Sequence, residues 1–312
     1  MINKNLKKKI KNTNLSNINT LYHLNNAEIQ KFLYLTPEST MQLKKEISTG
    51  NQLLWLKEDI EKISKKSNPL SSGSTNIDTI LNGGFFPGVV YFIFGEFTTG
   101  KTQLCLQLAT NIAQKFNEQL IKKNQYLTLF LDTENNFKPE RINQLSTSLN
   151  LEPKRVLKSI NILNIIGSTA LNVTFEKIED LIKTYDYKLF IIDSLTNHFR
   201  ADQNNVSMNQ ITQTKKFLKI IKKINELTKK YNLISILIGQ VSPNFSKESF
   251  FPVKPFAVRL LNHSFSEFIF FSYVGENKRS AHIINSDFLP ERKTIFMISE
   301  EGIRDYHLIS KN

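Results

Sequence analysis

Between residues 89 and 238, short apolar runs alternate with stretches whose apolar positions recur at helical spacing. The runs are nearly continuous, which is typical of parallel strands buried on both faces. Helices between such strands cover both sides of the sheet. The pattern therefore predicts an α/β fold with a mostly parallel central sheet. The predicted strands are Val89–Phe94, Tyr126–Leu131, Ile160–Ile166, Leu189–Ile192 and Leu233–Ile238, and the predicted helices are Thr102–Phe116, Pro139–Leu149, Val173–Tyr185 and Gln210–Tyr231.

The carboxyl-terminal part changes pattern. Three β-rich runs follow one another with short connections beyond residue 265. Short connections favour antiparallel pairing, so we expect these strands to extend the sheet in antiparallel fashion. The three runs are Phe268–Val274, Ala281–Ile284 and Thr294–Ile298.

The amino-terminal part predicts three further segments. Residues 1–14 are rich in Lys and Asn, and we expect them to be a disordered basic tail. Residues 15–63 carry apolar positions at helical spacing and predict a small helical domain. Residues 64–74 have the composition of a linker. The α/β domain is then expected over residues 75–312.

Composition limits the class of protein. A chain of 312 residues with 40% apolar residues can bury a real core, which excludes general disorder. One Cys excludes a disulfide framework and a Cys-based zinc site. The apolar runs are too short to span a bilayer, and the polar start does not resemble a signal peptide. We therefore expect a soluble intracellular protein that has no membrane partner.

The net charge of +13 suggests an anionic partner, but its placement weakens that argument. Most of the excess lies in residues 1–68 and in the predicted helix near residues 209–232. Lys, Asn and Ile also have AT-rich codons, so genomic bias explains part of the excess. Charge alone does not identify the partner.

Residues 95–102 match the phosphate-loop pattern G-x-x-x-x-G-K-[ST] between a predicted strand and a predicted helix. In such a loop, backbone N–H groups and the start of the helix hold phosphate oxygens. Lys101 is expected to reach the β- and γ-phosphates, and the Thr102 hydroxyl to bind Mg²⁺. The candidate cofactor-binding residues of the loop are Gly95, Glu96, Phe97, Thr98, Thr99, Gly100, Lys101 and Thr102.

Three more strand ends carry polar side chains that suit this chemistry. Asp193 ends the run Phe190–Asp193 and is expected to hold Mg²⁺ through water. Glu134 follows Leu131 closely and is placed either to polarise an attacking water or to cap the next helix as a surface acid. Gln240 closes a fourth run and is placed to sense the γ-phosphate, although nothing in this run alone requires that role.

Together the motifs resemble the RecA and RadA recombinases, most of all archaeal RadA and its eukaryotic strand-exchange relatives. The resemblance rests on GEFTTGKTQL at Gly95–Leu104, LDTENNFKPERI at Leu131–Ile142, IIDSLTNHFRA at Ile191–Ala201 and LPERKTIFMISEEGIRD at Leu289–Asp305. Residues 18–47 also resemble the helix-hairpin-helix domain of that family in a divergent form.

The resemblance implies a RecA-like ATPase with ATP and Mg²⁺ as cofactors. It implies that Lys101, Glu134 and Gln240 are catalytic residues and that Thr102 and Asp193 bind the metal. Arg141 matches an arginine that packs on adenine. Asn285 and Pro290 lie in the segment Asn285–Glu291, which matches a cap over the ATP of an adjacent protomer.

The resemblance further implies a DNA-dependent ATPase that forms a filament on single-stranded DNA, pairs it with duplex DNA and exchanges strands in recombination and repair. Two loops near residues 202–209 and 242–262 would contact the DNA through cations and aromatic rings. Such a protein would reside with chromosomal DNA, in the cytoplasm or nucleoid of an archaeon or the nucleus of a eukaryote. The candidate DNA-binding residues are Arg200, Lys247, Lys254, Arg259, Phe250 and Phe251.

Departures from the family keep a second hypothesis open. The first loop is short, the cap has Asn285 in place of Asp, and no Phe-x-x-Ala hook for joining protomers is present near Leu54. The alternative is a divergent paralogue that binds ATP and DNA and assists a recombinase as a mediator without strand exchange of its own. A hexameric helicase ring is disfavoured by the DTENNFKPER segment. Self-association and recombinase-paralogue partners therefore remain expectations.

Overall fold

The structure is a computed structural model of the 312-residue chain. It describes residues 68–118, 125–199, 210–243, 253–255, 261, 264–265 and 267–306, together with residues 30, 36–41 and 44–45. The chain divides into two compact units, Met1–Ser67 and Asn68–Asn312. The predicted tail 1–14, most of the predicted helical domain 15–63 and residues 64–67 of the predicted linker lie outside the described residues.

Nine strands form one sheet in the order β11-β10-β9-β8-β1-β5-β4-β2-β3. The pairs among β1, β2, β3, β4, β5 and β8 are parallel, and β8 to β11 continue in antiparallel fashion. The strands are β1 Val90–Gly95, β2 Thr128–Asp132, β3 Ile160–Asn164, β4 Leu189–Asp193, β5 Ile234–Gly239, β8 Glu267–Gly275, β9 Lys278–Asn285, β10 Arg292–Ser299 and β11 Gly302–Asp305; β6 Val241–Pro243 and β7 Val253–Pro255 pair as a separate ribbon.

Six described helices of the core unit accompany the sheet, and the four longest cover its two faces. They are α1 Thr75–Ile80, α2 Lys101–Lys115, α3 Pro139–Ser148, α4 Pro153–Lys158, α5 Gly167–Thr184 and α6 Gln210–Lys230. One apolar cluster joins α2 and α3 to the first face, and a second joins α5 and α6 to the other. Along β1, Tyr91 and Ile93 enter the first cluster, whereas Val90, Phe92 and Phe94 enter the second. This alternation buries both faces, as the continuous apolar runs predicted.

The first residues of the core unit are joined to its last strand. Leu70 pairs with Phe85 in an isolated antiparallel bridge. The Asp305 carboxylate accepts hydrogen bonds from Ser74 Oγ (2.5 Å) and from the amide nitrogen of Asn76 (2.9 Å) at the start of α1. The unit therefore begins at Asn68, inside the segment 64–74 that composition predicts to be a linker.

The predicted α/β fold with added antiparallel strands is confirmed. The first of the three runs, β8, differs from the expectation in that it pairs with β1 in parallel, and antiparallel pairing begins between β8 and β9. Helix α5 begins at Gly167, several residues before the predicted start at Val173. The prediction began too late because the first turn of the helix is polar and has no apolar residues at helical spacing. The periodicity also did not predict α1, α4 or β11, each of which is six residues or shorter. Among the described residues, no helix is both long enough and apolar enough to cross a membrane.

Candidate nucleotide site

Four strand ends meet at one edge of the sheet. The strands β1, β5, β4 and β2 are neighbours in that order, and parallel strands present their carboxyl ends to the same edge. A cavity of about 710 Å³ lies there. Its lining includes Lys101 after β1, Gln240 after β5, Asp193 at the end of β4 and Glu134 after β2. The structure thus brings together the four polar residues that the strand ends predicted.

The phosphate loop runs from the end of β1 into α2. Gly100 is the residue before the helix, and its φ of 106° lies in the left-handed region that favours glycine. A Cβ at Gly100 would lie 2.7 Å from the Ile298 side chain, and one at Gly95 would lie 2.0 Å from the Phe271 carbonyl oxygen. Close packing against backbone therefore requires Gly95, and the positive φ favours glycine at position 100. The N–H groups at the start of α2 lie beside the cavity.

Lys101 is folded back onto the loop. Its Nζ donates to the carbonyl oxygens of Gly95 (2.9 Å) and Glu96 (2.6 Å). Burial lowers the pKa of the Lys101 ammonium, and the charges of Asp193 and Glu134 oppose that shift. The lysine thus supplies a partly desolvated positive charge, which interacts more strongly with an anion than an exposed one does.

Thr102 and Asp193 form a second pair on the same side of the cavity. Thr102 Oγ1 donates a hydrogen bond of 2.6 Å to Asp193 Oδ2. Burial raises the pKa of the Asp193 carboxyl to about 7, and the bond from Thr102 partly offsets that rise. Only 2% of the surface of Asp193 is exposed, so an unneutralised carboxylate here is costly. A cation beside these oxygens would relieve that cost.

Glu134 and Gln240 are joined across the cavity. Gln240 Nε2 donates to Glu134 Oε1 at 2.7 Å, and the backbone nitrogen of Gln240 donates to Thr196 Oγ1 at 2.9 Å. Among the described residues, the Glu134 carboxylate accepts from the side chains of Ser194, Asn136 and Gln240, and none of these lies at the start of α3. This carboxylate lines the cavity, and the catalytic role of Glu134 stays a prediction.

Arg141 is held by four acceptors at the far end of the cavity. Its guanidinium donates to Gln103 Oε1 (2.8 Å), Gln144 Oε1 (2.9 Å), and the carbonyl oxygens of Ser299 (2.7 Å) and Glu300 (2.6 Å). The N–H groups of a guanidinium lie in its plane, so these four bonds do not use its faces. The arrangement is consistent with an aromatic base resting on Arg141.

Two residues that the motifs did not indicate support the phosphate loop from β8 and β9. The Tyr273 hydroxyl lies 2.6 Å from Thr98 Oγ1, and Arg279 Nε donates to the Thr98 carbonyl oxygen at 3.3 Å. Arg279 also lies over the Tyr273 ring, 5.2 Å from its centroid, and lines the cavity. No local sequence signal marks them, because they reach the loop only through the pairing of β8 with β1 and of β9 with β8.

The cavity suits a nucleoside triphosphate with Mg²⁺. Its volume lies within the range of about 300–1,000 Å³ that is usual for small-molecule sites. Lys101 provides positive charge, and Thr102 and Asp193 provide the hydroxyl and carboxylate oxygens that Mg²⁺ prefers. Arg141 provides a flat surface for a base.

Some predicted residues do not line this cavity. Glu96 and Thr99 belong to the loop but contribute backbone and hydroxyl bonds within it, such as Thr99 Oγ1 to the Glu96 carbonyl oxygen at 2.9 Å. Asn285 and Pro290 lie elsewhere on the same chain and are exposed. A role for them at a nucleotide therefore requires a second copy of the chain, as the cap prediction states.

The predicted DNA contacts are mostly outside the described residues. This holds for Arg200, Lys247, Arg259, Phe250 and Phe251. Lys254 lies on β7, and its backbone pairs with Ser242 of β6. The segment from Gln240 therefore starts as a paired ribbon.

Comparison with known proteins identifies the family. A family model described as Rad51 matches residues 65–306, which is more than half of the chain. The chain belongs to the Rad51 family. The resemblance to RecA and RadA that the four motifs indicated is thereby confirmed, and the matched region contains every residue of the cavity described above.

Relatives of this Rad51-family chain include three proteins, each named DNA repair and recombination protein RadA. The protein of Metallosphaera sedula is 30% identical over 251 residues, covering 79% of this chain and 75% of the relative. The protein of Aeropyrum pernix is 29% identical over 239 residues, covering 76% and 73%. That of Ignicoccus hospitalis is 29% identical over 241 residues, covering 76% and 72%. The identities show a divergent member.

Proposed function

We propose that this chain is an ATP-dependent recombinase that acts in DNA recombination and repair. The observation that carries the proposal is the meeting of Lys101, Asp193, Glu134 and Gln240 at one edge of the sheet, around a cavity of about 710 Å³. The names of the three RadA relatives support the assignment to recombination and repair.

In the proposed reaction, ATP is hydrolysed to ADP and phosphate. Lys101 and the N–H groups at the start of α2 bind the phosphates, and Thr102 and Asp193 would hold Mg²⁺. The metal, when bound, offsets negative charge on the β- and γ-phosphates. Glu134 accepts a hydrogen bond from the attacking water and orients it. The adenine stacks on the face of the Arg141 guanidinium.

The proposed link to DNA starts at Gln240. This residue lies in the cavity and is followed directly by β6, which leads into the predicted second DNA loop. A side chain that contacts both the nucleotide and the base of that loop would couple ATP to DNA binding. We propose that the partners are single-stranded DNA, duplex DNA and further copies of the chain in a filament, at the chromosome.

The ATP assignment is tested by phosphate release from the purified chain with Mg²⁺ and ATP. Lys101→Ala should lower turnover by a factor of at least about 100, because the phosphates lose their principal cation. Lys158→Ala is the control, since Lys158 is exposed at the end of α4, outside the cavity. Unchanged turnover in Lys101→Ala would remove the assignment.

The filament assignment is tested by electron microscopy with single-stranded DNA, Mg²⁺ and ATP, followed by a strand-exchange assay. The proposal predicts regular helical filaments and exchanged strands. Small discrete oligomers on DNA, with ATP hydrolysis but without exchange, would favour the mediator paralogue, which the missing hook and Asn285 suggest.

A further inference from the structure

The Glu134 carboxylate is bonded on both oxygens by side chains from three different segments. Ser194 Oγ donates to Glu134 Oε1 at 2.5 Å, and Gln240 Nε2 donates to the same oxygen at 2.7 Å. Asn136 Nδ2 donates to Glu134 Oε2 at 3.0 Å. Hydrogen bonds to an ionised carboxylate are about twice as strong as neutral ones, so these donors fix its position.

Ser194 is itself held rigidly. It is 1% exposed and follows Asp193 directly at the end of β4. Its amide nitrogen donates to Thr133 Oγ1 at 2.8 Å, and the Thr133 hydroxyl donates back to the Ser194 carbonyl oxygen at 2.8 Å. The backbone on either side of the Glu134–Ser194 bond is therefore joined by two further bonds.

Asn136 is held by the turn that follows β2. Asp132 is 2% exposed, and its carboxylate accepts from the amide nitrogens of Glu134 (3.2 Å), Asn136 (3.1 Å) and Phe137 (2.9 Å). This arrangement places the side chains of Glu134 and Asn136 together in the lining of the cavity. The turn thus presents the carboxylate and one of its donors as a unit.

Gln240 differs from the other two donors, because the proposed function requires it to contact the γ-phosphate. Its Nε2 carries two N–H groups and contacts both Glu134 Oε1 (2.7 Å) and Asn197 Oδ1 (3.4 Å). Donation of the first N–H group to a phosphate oxygen would withdraw it from the carboxylate. Glu134 would then keep one donor on each oxygen. A carboxylate has about four lone-pair positions, so Oε2 retains one for a water.

We propose that Ser194 and Asn136 are positioning residues that hold the Glu134 carboxylate, one on each oxygen, while Gln240 exchanges its bond between Glu134 and the nucleotide. The inference rests on the proposed ATP hydrolysis and assigns the two donors a task within it. Neither residue transfers a proton, and neither replaces the contacts of Lys101 with the phosphates.

The first test measures single-turnover hydrolysis and nucleotide affinity separately. Ser194→Ala and Asn136→Ala should each lower the rate of hydrolysis by about 10-fold, since small displacements of a reacting group cost up to about 100-fold. The Kd for ATPγS should change by less than about twofold. Ser272→Ala is the matched control, because its hydroxyl bonds Ser280 at 2.8 Å on β8 and β9. Wild-type rates in both variants would overturn the proposal.

A double-mutant cycle separates positioning from a general loss of structure. If Ser194 acts through Glu134, Ser194→Ala should cost less than about twofold in a Glu134→Ala background, measured with radiolabelled ATP. An equal cost in both backgrounds would overturn the proposal while leaving the ATP site intact. Failure of the proposed function has a different signature, namely no turnover above Lys101→Ala in the wild-type chain.

A structural readout applies without turnover. In crystals with Mg²⁺ and ATPγS, the wild-type Glu134 carboxylate should occupy one orientation, with Ser194 and Asn136 still bonded. The Ser194→Ala chain should show two or more orientations of the carboxylate. One unchanged orientation in the variant would contradict the positioning role.

Discussion

Asp193 at the end of β4 and Glu179 on α5 are both carboxylates, and their surroundings shift their pKa values in opposite directions. Asp193 accepts a bond from one hydroxyl, is nearly fully buried, and has a pKa raised to about 7 by burial. Glu179 joins α5 to α6 through Lys223 and Lys230, and the hydrogen bonds from those lysines lower its pKa to about 2. Burial dominates at the first carboxylate, and compensation by two bonded cations dominates at the second.

The difference separates the proposed nucleotide site from a region that only stabilises the fold. Glu179 stabilises the packing of α5 on α6, because its charge is better compensated in the folded state than in water. The raised pKa of Asp193 implies that its ionised form destabilises the fold before a ligand binds, because the hydrogen bond from Thr102 and the charge of Lys101 offset only part of the cost of burial. We infer that the nucleotide edge is maintained for binding at the expense of stability.

The largest expected effect is the loss of turnover in Asp193→Asn. An amide cannot supply the negative charge that Mg²⁺ requires, so ATP hydrolysis should fall by about 100-fold or more. Phosphate release at saturating ATP measures it. Asp180→Asn, on the exposed side of α5, should retain the wild-type rate. Wild-type turnover in Asp193→Asn would place the metal elsewhere.

The same substitution should stabilise the chain in the absence of nucleotide. At pH 8 the wild-type Asp193 is ionised, whereas the amide that replaces it is neutral, so the free energy of unfolding should rise by an amount on the order of 1–3 kcal/mol. Urea denaturation in EDTA without nucleotide measures the change. A less stable variant would show that the Asp193 carboxylate is well compensated and would abolish the contrast with Glu179.

Glu179→Gln should have the opposite pair of effects. The free energy of unfolding should fall by about 1–2 kcal/mol, because Lys223 and Lys230 lose their shared acceptor charge. ATP turnover should stay unchanged. Glu176→Gln is the matched control on the same helix, since Glu176 is exposed and has no ion pair among the described residues. Equal losses in both variants would assign the effect to helix propensity.

The smallest effect concerns the pH dependence of these differences. The pKa of Asp193 is higher in the folded state, so the stability gained in Asp193→Asn should grow as pH rises from about 4 to 7 and then level off. The pKa of Glu179 is lower in the folded state, so the loss in Glu179→Gln should be complete above about pH 4.5 and shrink toward pH 2. Denaturation at several pH values tests both directions. Changes in the free energy of unfolding that have the same sign in both variants would refute the comparison.

The sheet and its functional edge were predictable because their signals are local. Lys101, Glu134, Asp193 and Gln240 each follow a continuous apolar run, and the carboxyl ends of parallel strands share an edge. The short connections beyond residue 265 predicted the antiparallel strands. The sequence left two roles open for Glu134; tertiary contacts bring its carboxylate into the cavity lining, and its catalytic role stays a prediction.

Ser194 and Asn136 could not be predicted in the same way. Serine and asparagine are common in turns, and their functions arise only when β2, β4 and the turn after β2 are brought together. Arg279 and Tyr273 reach the phosphate loop from strands far along the chain. The boundary at Asn68 was not predicted, because residues 64–74 have the composition of a linker. The bond between Ser74 and Asp305, which joins this segment to the last strand, has no local signal. Each case depends on contacts between distant segments.

The most direct test of the central claim is the effect of single-stranded DNA on phosphate release, with Lys101→Ala as the background. If the strand-end site is an ATPase coupled to DNA through Gln240, the wild-type rate should exceed that background and rise several-fold with single-stranded DNA. Gln240→Ala should remove most of the stimulation and leave nucleotide affinity largely intact. A wild-type rate equal to that of Lys101→Ala, with and without DNA, would contradict the account.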